Sequence, residues 1–228
     1  MTISVVIPVF NEEGMIGPCL EHLAAQTLLP NEIIVVDNNC VDATISIASA
    51  YPNVRIVTEK QQGIIFARDA GFNAAKGDVI LRIDADTRAT KNWVKEMHEL
   101  ALHSSADAFT GPCFFYDTQF GKILGLAHRP LYFGISYFYQ SHHTLFGSNM
   151  AIRKSMWEKM RTEVCTHGDH VIHEDVDLAL HIAQAGGKIA YSPKLLVGIS
   201  GRRMSRSLGD LYPYVTRWLI NMKNHVSR

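Results

Sequence analysis

The sequence predicts an α/β protein with a mostly parallel central sheet and helices on both faces. Short runs rich in β-branched residues alternate with helical patterns between residues 3 and 84. Strands joined by helical crossovers pair in parallel, because the crossover returns the chain to the same edge of the sheet. Near-continuous apolar runs such as "VVIPV" and "IIVV" are typical of strands that are covered on both faces.

The elements of the first half follow one another in strict alternation. The first strand is predicted at Ile3–Val9, and the helix after it repeats Ile16, Leu20 and Leu23 at i, i+4 and i+7. Further strands are predicted at residues 32–37, 54–59 and 79–84, and further helices at residues 42–50 and 64–75. Ligands of such sheets gather at the carboxyl ends of the strands, so the residues found there are the first candidates for function.

The second half of the chain is less regular. Strands are predicted at residues 108–115, 188–192 and 194–200, a helix at residues 173–187, and the segment "LFGSNMAIR" covers residues 145–153. An aromatic tract covers residues 131–139, and a basic amphipathic segment closes the chain. The four cysteines include no CxxC pair, which favours reduced thiols over disulfides.

Charge and the amino-terminal sequence restrict the class of protein. The 22 basic and 22 acidic residues cancel, so no overall field favours nucleic acid, and we expect no nucleic-acid partner. The chain passes from Met1 almost directly into a strand-like run, without a basic and apolar leader pattern. These features predict a cytoplasmic protein.

Two carboxylates follow the apolar run in "VILRIDADT", residues 79–87. Asp84 and Asp86 stand two positions apart, and in a regular strand such residues point to the same face. Like charges held this close repel each other unless a cation lies nearby. Oxygen ligands without neighbouring cysteine suit Mg²⁺ or Mn²⁺, which commonly hold substrate phosphates. The spacing indicates a metal site, with a solvated acidic turn as the alternative.

Four other residues are candidates for chemistry. The first strand is followed by neither Gly-x-Gly-x-x-Gly nor Gly-Lys-Ser/Thr, so a dinucleotide fingerprint and a P-loop are excluded. The Asp37 carboxylate can accept hydrogen bonds from the edge of a nucleotide base, and the Arg68 side chain can reach a phosphate. Glu174 and Asp175 precede an apolar stripe, where a carboxylate either stabilises the helix dipole or acts as a general base.

Five segments, in this order and at these spacings, resemble the family 2 glycosyltransferases of GT-A fold. They are "VVIPVFNEE", "IIVVDNN", "GIIFARDAGFNAAKGDVILRIDADT", "GSNMAIR" and "HEDVDLALHIAQAGGKI". Each segment is weak evidence alone, but five in register are specific. The resemblance covers residues 3–203, nearly the whole chain.

The resemblance implies roles for individual residues. It assigns nucleotide binding to Pro8, Phe10, Glu12, Asp37, Asn39, Arg68 and Asp84, with Asp37 as the acid that contacts the base. It assigns the divalent metal to Asp86 together with Asp84, the sugar and acceptor region to Gly147, Asn149 and Glu174, and the catalytic base to Asp175. A His often supplies a further metal contact after the last core strand, but "VGISGRR" has none, so the metal shell beyond Asp86 stays open.

The resemblance also implies an inverting enzyme that uses Mn²⁺ or Mg²⁺. It would move a sugar from a nucleotide-diphosphate sugar, UDP-sugars ahead of GDP-mannose, to a hydroxyl of a carbohydrate, lipid-linked or small-molecule acceptor. Two alternatives remain. A sugar-1-phosphate nucleotidyltransferase would need a Gly-rich basic loop after the first strand, where this chain has "PVFNEEG". A non-catalytic nucleotide-sugar-binding protein would have no need of both Asp86 and Asp175.

The expected organisation is a single domain of residues 1–228. Residues 1–105 form the nucleotide-binding half, residues 106–203 the acceptor and catalytic half, and residues 204–228 an amphipathic tail. Basic residues flank apolar ones in this last segment, which suits either a helix packed on the domain or a helix at a membrane surface. The second option would place the protein on the inner face of the membrane as a peripheral partner.

Overall fold

The computed structural model describes residues 1–121, 123, 125, 129–140, 142–164 and 173–203. Its strands are β1 (Ile3–Val9), β2 (Glu32–Asp37), β3 (Val54–Thr58), β4 (Val79–Arg82), β5 (Arg88–Ala89), β6 (Ala108–Thr110), β7 (Cys113–Phe115), β8 (Met150–Arg153), β9 (Ile189–Tyr191) and β10 (Val197–Ile199). Its α-helices are α1 (Ile16–Ala24), α2 (Thr44–Ser49), α3 (Ile64–Ala74), α4 (Trp93–His103), α5 (Ile135–Gln140), α6 (Lys154–Met160) and α7 (Glu174–Gln184). A π-helix covers Arg129–Gly134, and a 3₁₀ turn covers Gly201–Arg203. The predicted tail of residues 204–228 lies outside the described residues.

Within the part of the chain that the structure describes, the central sheet has seven strands in the order β3-β2-β1-β4-β8-β6-β9. The first four pair in parallel, as the alternation of strands and helices predicts. Strand β8 runs antiparallel to β4 and β6, and β9 is parallel to β6. The sheet is therefore mostly parallel with one reversed strand, which carries Met150 to the carboxyl end of β4.

Helices cover both faces of this sheet, and β1 shows how the sequence achieves it. Val5 and Ile7 pack into one core cluster with α1 and α4, while Val6 packs into a second cluster with α3, α6 and α7. All three side chains are fully buried. An unbroken apolar run is needed because alternate side chains of the strand enter different cores.

The predicted strand at residues 108–115 is instead two strands in different sheets. Gly111 and Pro112 separate β6 from β7, and Pro112 has no N–H to continue a ladder. A Cβ at Gly111 would collide with the backbone oxygen of Leu195, so the chain passes too close for a larger residue. Strand β7 then joins β10 and β5 in a small second sheet.

The small sheet has the order β5-β10-β7. Strand β5 follows Asp84 and Asp86 directly, and β10 leads into residues 200–203. Their antiparallel pairing joins Ala89 to Val197 and Arg88 to Gly198. The second sheet thus brings the end of the described chain beside the acidic turn. Within the described residues, no helix is long and apolar enough to cross a bilayer.

Candidate active site

The loops that follow β1 and β2 are docked on each other at the carboxyl end of the sheet. Glu12 donates its backbone N–H to the Thr44 hydroxyl at 2.7 Å, and a Glu13 carboxylate oxygen accepts from the Ala43 N–H at 2.9 Å. Pro8 is buried in β1, while the ring of Phe10 is half exposed just beyond the strand. The first predicted nucleotide loop therefore presents Phe10 to solvent on a fixed backbone.

The loop after β2 is held by the two asparagines behind Asp37. Asn38 is buried, donates to the backbone oxygens of Glu59 and Gln61, and accepts from the Gly63 N–H at 2.8 Å. Asn39 adopts a positive φ of 67° and donates to the Lys60 oxygen at 3.0 Å. One Asp37 oxygen accepts from the Cys40 N–H at 2.9 Å, which stabilises the turn.

Asp84 and Asp86 lie in the turn after β4, because the strand ends at Arg82, two residues earlier than predicted. Both oxygens of Asp84 have a partner: the Arg82 guanidinium donates to one at 2.8 Å, and the Ser148 hydroxyl donates to the other at 2.5 Å. Arg82 is 2% exposed. The carboxylate of Asp84 is thereby fixed between β4 and the segment that leads into β8.

Asp86 contacts a different arginine. Its carboxylate oxygen lies 3.3 Å from the Arg202 guanidinium, and its backbone oxygen accepts from the Tyr116 hydroxyl at 3.1 Å. The same Arg202 nitrogen donates to both carboxylate oxygens of Glu12, at 2.5 and 2.7 Å. The Arg88 guanidinium lies over the Tyr116 ring, 3.7 Å from its centroid, so Arg88 packs on the residue that contacts the Asp86 backbone.

A buried network of charges lies beneath this edge. Glu174 is 8% exposed; one of its oxygens accepts from Arg68 at 2.7 Å and the other from Arg82. Arg68 is fully buried and also donates to Asp69 at 2.9 and 2.7 Å and to the Glu174 backbone oxygen at 3.1 Å. Arg68 and Glu174 therefore hold each other in the interior, and the phosphate contact and the sugar contact predicted for them stay predictions.

Asp175 follows Glu174 in α7 but faces other partners. One oxygen accepts from the Gly147 N–H at 2.8 Å and lies 3.4 Å from the Tyr132 hydroxyl; the other accepts from the Val176 N–H at 2.9 Å. Burial raises the pKa of the Asp175 carboxyl above its ordinary value, and the neighbouring Glu174 carboxylate adds to the rise. A carboxyl with a raised pKa beside other candidate site residues is typical of a general base.

Gly147 packs against charged residues of the site, and Asn149 is hydrogen-bonded in the core beneath it. A Cβ at Gly147 would collide with the Arg82 guanidinium and lie 3.2 Å from a Glu174 oxygen, so only glycine fits over this ion pair. The Asn149 side chain is fully buried, accepts from Trp93 at 2.9 Å and donates to two backbone oxygens, of Pro112 at 3.1 Å and of Leu195 at 2.6 Å. Its amide is thus used within the core, and the predicted sugar contact stays a prediction.

The structure brings Asp84, Glu174 and Arg68 together through ion pairs that share Arg82 and Glu174, and it joins Glu12 to Asp86 through Arg202. Arg82 contacts both Asp84 and Glu174, so the acidic turn and the start of α7 are neighbours. Arg82 and Arg202 were not among the predicted site residues. Arg82 does carry a signal in the sequence, since a charged residue within the apolar run "VILRI" is expected to be buried only with a partner.

The donor set suits a divalent cation that is held partly by its substrate. Asp86 is 8% exposed and has hard carboxylate oxygens, one of which lies 3.3 Å from Arg202, and both oxygens of Asp84 accept hydrogen bonds from Arg82 and Ser148. Among the described residues, no three His, Cys, Asp or Glu side chains form a group that could hold a metal. Mg²⁺ and Mn²⁺ are commonly bound by one or two carboxylates together with substrate phosphates, so the residues present fit such an ion.

Solved structures of similar proteins share this architecture. The chain aligns with the mannosyltransferase PcManGT from Pyrobaculum calidifontis, solved with GDP-Man and Mn²⁺, at a TM-score of 0.73 and 18% identity, over 99% of this chain and 64% of that one. It aligns with glucosyl-3-phosphoglycerate synthase from Mycobacterium tuberculosis, solved with Mn²⁺, UDP and glucosyl-3-phosphoglycerate, at a TM-score of 0.70 and 20% identity, over 97% and 80%. These likenesses confirm the predicted GT-A fold.

Sequence comparison identifies the family. The chain is 30% identical to the glycosyltransferase GlyG of Streptococcus pneumoniae over 125 residues, which are 53% of this chain and 42% of GlyG. It spans 24% to 57% of the length of the curated relatives that it matches. The family model described as "Glycosyl transferase family 2" matches residues 4–161, more than half of the chain. This protein therefore belongs to glycosyl transferase family 2.

Proposed function

We propose that this protein is an inverting glycosyltransferase that moves a sugar from a nucleotide-diphosphate sugar to an acceptor hydroxyl. UDP-sugars are the first choice of donor, and a carbohydrate, lipid-linked or small-molecule hydroxyl is the acceptor. The observation that carries the proposal is the continuous chain of contacts from Asp84 through Arg82 to Glu174. These contacts support a site in which Asp84 would bind the donor and Asp175, the neighbour of Glu174, would act on the acceptor.

The nucleotide would lie across the carboxyl ends of β1, β2 and β4. Phe10 and Asp37 border the end of this edge where the base would bind, and the positive-φ residues Asn11 and Asn39 shape the two loops around it. The Asp84 carboxylate, which Arg82 and Ser148 hold in place, would accept a hydrogen bond from the ribose. Preorganisation of these groups lowers the entropic cost of binding the donor.

Asp175 would act as the general base. Its oxygen would take the proton of the acceptor hydroxyl while that oxygen attacks the anomeric carbon and the bond from this carbon to the diphosphate breaks. The Gly147 N–H and the Val176 N–H hold the carboxylate in one orientation. A single displacement of this kind inverts the anomeric configuration.

Asp86 is the residue that would hold a divalent cation, Mn²⁺ or Mg²⁺, next to the diphosphate. When bound, the ion would supply positive charge that stabilises the departing diphosphate. Asp84 would belong to the same metal site because it lies in the same turn as Asp86. Its two carboxylate oxygens also accept hydrogen bonds from Arg82 and Ser148.

Thermal stability in the presence of nucleotides tests the donor site. A ligand that binds only the folded state raises the stability of that state, and more so the tighter it binds, so UDP, GDP, TDP and CDP can be compared with and without Mn²⁺. We expect at least one of them to raise the melting temperature strongly only with the metal. Asp86→Ala should remove the metal-dependent part of the shift.

The matched control is Glu158→Ala, which removes an exposed carboxylate from α6. It should leave the metal-dependent shift unchanged. A shift that survives in Asp86→Ala would contradict the assignment of Asp86. A wild-type protein that hydrolyses no donor and transfers no sugar, yet binds nucleotide with Mn²⁺, would instead favour a non-catalytic binding protein.

A further inference from the structure

A single arginine from the end of the described chain contacts two acids of the candidate donor site. One terminal nitrogen of Arg202 donates to both carboxylate oxygens of Glu12, and it lies 3.3 Å from an Asp86 oxygen. Glu12 belongs to the loop after β1 and Asp86 to the turn after β4, so Arg202 joins three separate segments. Its side chain is 37% exposed, and it therefore reaches the surface of the protein.

The backbone that carries Arg202 is fixed from both directions. Strand β10 is hydrogen-bonded to β5 on one side and β7 on the other. Asp117 then accepts from the Ser200 hydroxyl at 2.5 Å and from the Gly201 N–H at 2.6 Å, and the Arg202 N–H donates back to the Ser200 hydroxyl at 3.2 Å. The guanidinium is placed by this scaffold and then oriented by Glu12.

The position of this cation suits a phosphate rather than a metal. A guanidinium cannot ligate a metal ion, since it has five N–H donors and no acceptor, but it matches phosphate oxygens in shape and charge. Glu12 and Asp86 carry two negative charges and Arg202 carries one positive charge, so a cation bound at Asp86 would leave a positively charged surface. A diphosphate is the part of the proposed donor that such a surface would attract.

We propose that Arg202 binds the diphosphate of the donor and that Glu12 is the positioning residue which holds its guanidinium beside Asp86. This inference rests on the proposed function, because it assumes a nucleoside diphosphate in the cleft. It assigns the segment after β10, which carries Arg202, to the substrate's phosphates. Glu12 then acts on the nucleotide through Arg202 rather than by direct contact.

The test compares a nucleoside diphosphate with the monophosphate of the same base by isothermal titration calorimetry in Mn²⁺. The probes are UDP and UMP, or GDP and GMP if the guanine pair is the one that the wild type binds. Arg202→Gln should weaken diphosphate binding by roughly ten- to a hundred-fold, the range for a lost hydrogen bond to a charged group. Monophosphate binding should change by less than about threefold. The charge-assisted contact with Arg202 forms only when the second phosphate is present, so the monophosphate has no such contact to lose.

Two further variants separate charge from geometry. Arg202→Lys keeps the charge but loses the planar fork, so it should recover part of the lost diphosphate affinity. Arg161→Gln is the matched control, since Arg161 is exposed after α6 and contacts Asn73. It should bind both nucleotides as the wild type does.

A double-mutant cycle tests the role of Glu12. As a single substitution, Glu12→Gln should weaken diphosphate binding. In the Arg202→Gln background the same substitution should cause little further loss of affinity, because Glu12 acts through the arginine. Additive losses would overturn the positioning role. If Arg202→Gln loses stability, or binds Mn²⁺ alone more tightly, while the ratio of diphosphate to monophosphate affinity is unchanged, Arg202 is only a counter-ion of the two acids and the proposal fails. Failure of the proposed function looks different, since the wild type would then bind none of the nucleotides.

Discussion

Asp84 and Asp86 stand two positions apart, yet each carboxylate has its own arginine. Arg82, the last residue of β4, contacts Asp84 at 2.8 Å. Arg202, from the other end of the described chain, contacts Asp86 at 3.3 Å. The repulsion that the spacing implies is therefore relieved within the protein itself. A divalent cation and a diphosphate would add to this arrangement rather than create it.

The residue with the sharpest chemical prediction is Asp175. We expect Asp175→Asn to lower the rate of sugar transfer by roughly 10²–10⁴, the usual contribution of a positioned base. Nucleotide binding should stay near that of the wild type, since the amide is nearly isosteric. The measurements are the steady-state transfer rate and the thermal shift with nucleotide and Mn²⁺.

The pH dependence of the wild type offers a second measurement on the same residue. A base works only when ionised, and the pKa of Asp175 is raised by burial and by Glu174. The transfer rate should therefore fall with decreasing pH at a higher pH than an ordinary aspartate, of pKa about 3.9, would give. Full transfer activity in Asp175→Asn would leave the proposed base without support.

Helix α7 begins with two acids that serve different purposes because consecutive residues of an α-helix point about 100° apart. Glu174 turns into the interior to meet Arg68 and Arg82, and Asp175 turns to Gly147. Both also lie in the first turn, where negative charge favours the helix dipole. The start of one helix thus provides a buried anchor and a candidate base in adjacent positions.

This division predicts that Glu174→Gln acts first on stability. Removing one charge from a buried network leaves its arginines uncompensated, and we expect a loss of about 3–5 kcal/mol in the free energy of unfolding. Chemical denaturation measures it, with Glu163→Gln as the control because Glu163 is exposed. A variant as stable as the wild type but inactive would point to direct contact between Glu174 and the substrate.

At the scale of the whole molecule, the two sheets are joined near the site by Asn149. Its side chain bonds Trp93 of α4, the Pro112 oxygen between β6 and β7, and the Leu195 oxygen before β10. Its own backbone oxygen accepts from the Thr110 hydroxyl at 3.0 Å. One buried amide therefore connects the central sheet with the small sheet that positions Arg202.

We expect Asn149→Ala to destabilise the fold. Each buried polar group left without a partner costs about 1–3 kcal/mol, and the substitution removes the Asn149 partner of the Trp93 N–H and of the Leu195 oxygen, while the Pro112 oxygen keeps the Val197 N–H at 3.3 Å. Thermal unfolding without ligand measures the loss. Unchanged stability together with a raised KM for the acceptor would restore the sugar contact that the motif implies.

Apolar runs and their spacing in the sequence determined the parallel half of the sheet, its coverage on both faces and the edge at which the candidate residues gather. These properties follow from local pattern, since strand alternation and helix periodicity are written in consecutive residues. The break between β6 and β7 and the reversal of β8 depended on packing: Gly111 lies against Leu195, which is distant in sequence. The same holds for the partners of each charge. Only tertiary structure brought Arg202 to Glu12 and Asp86 and turned Arg68 and Glu174 inward, because an ion pair depends on distance in space, which the sequence separation of its partners does not encode.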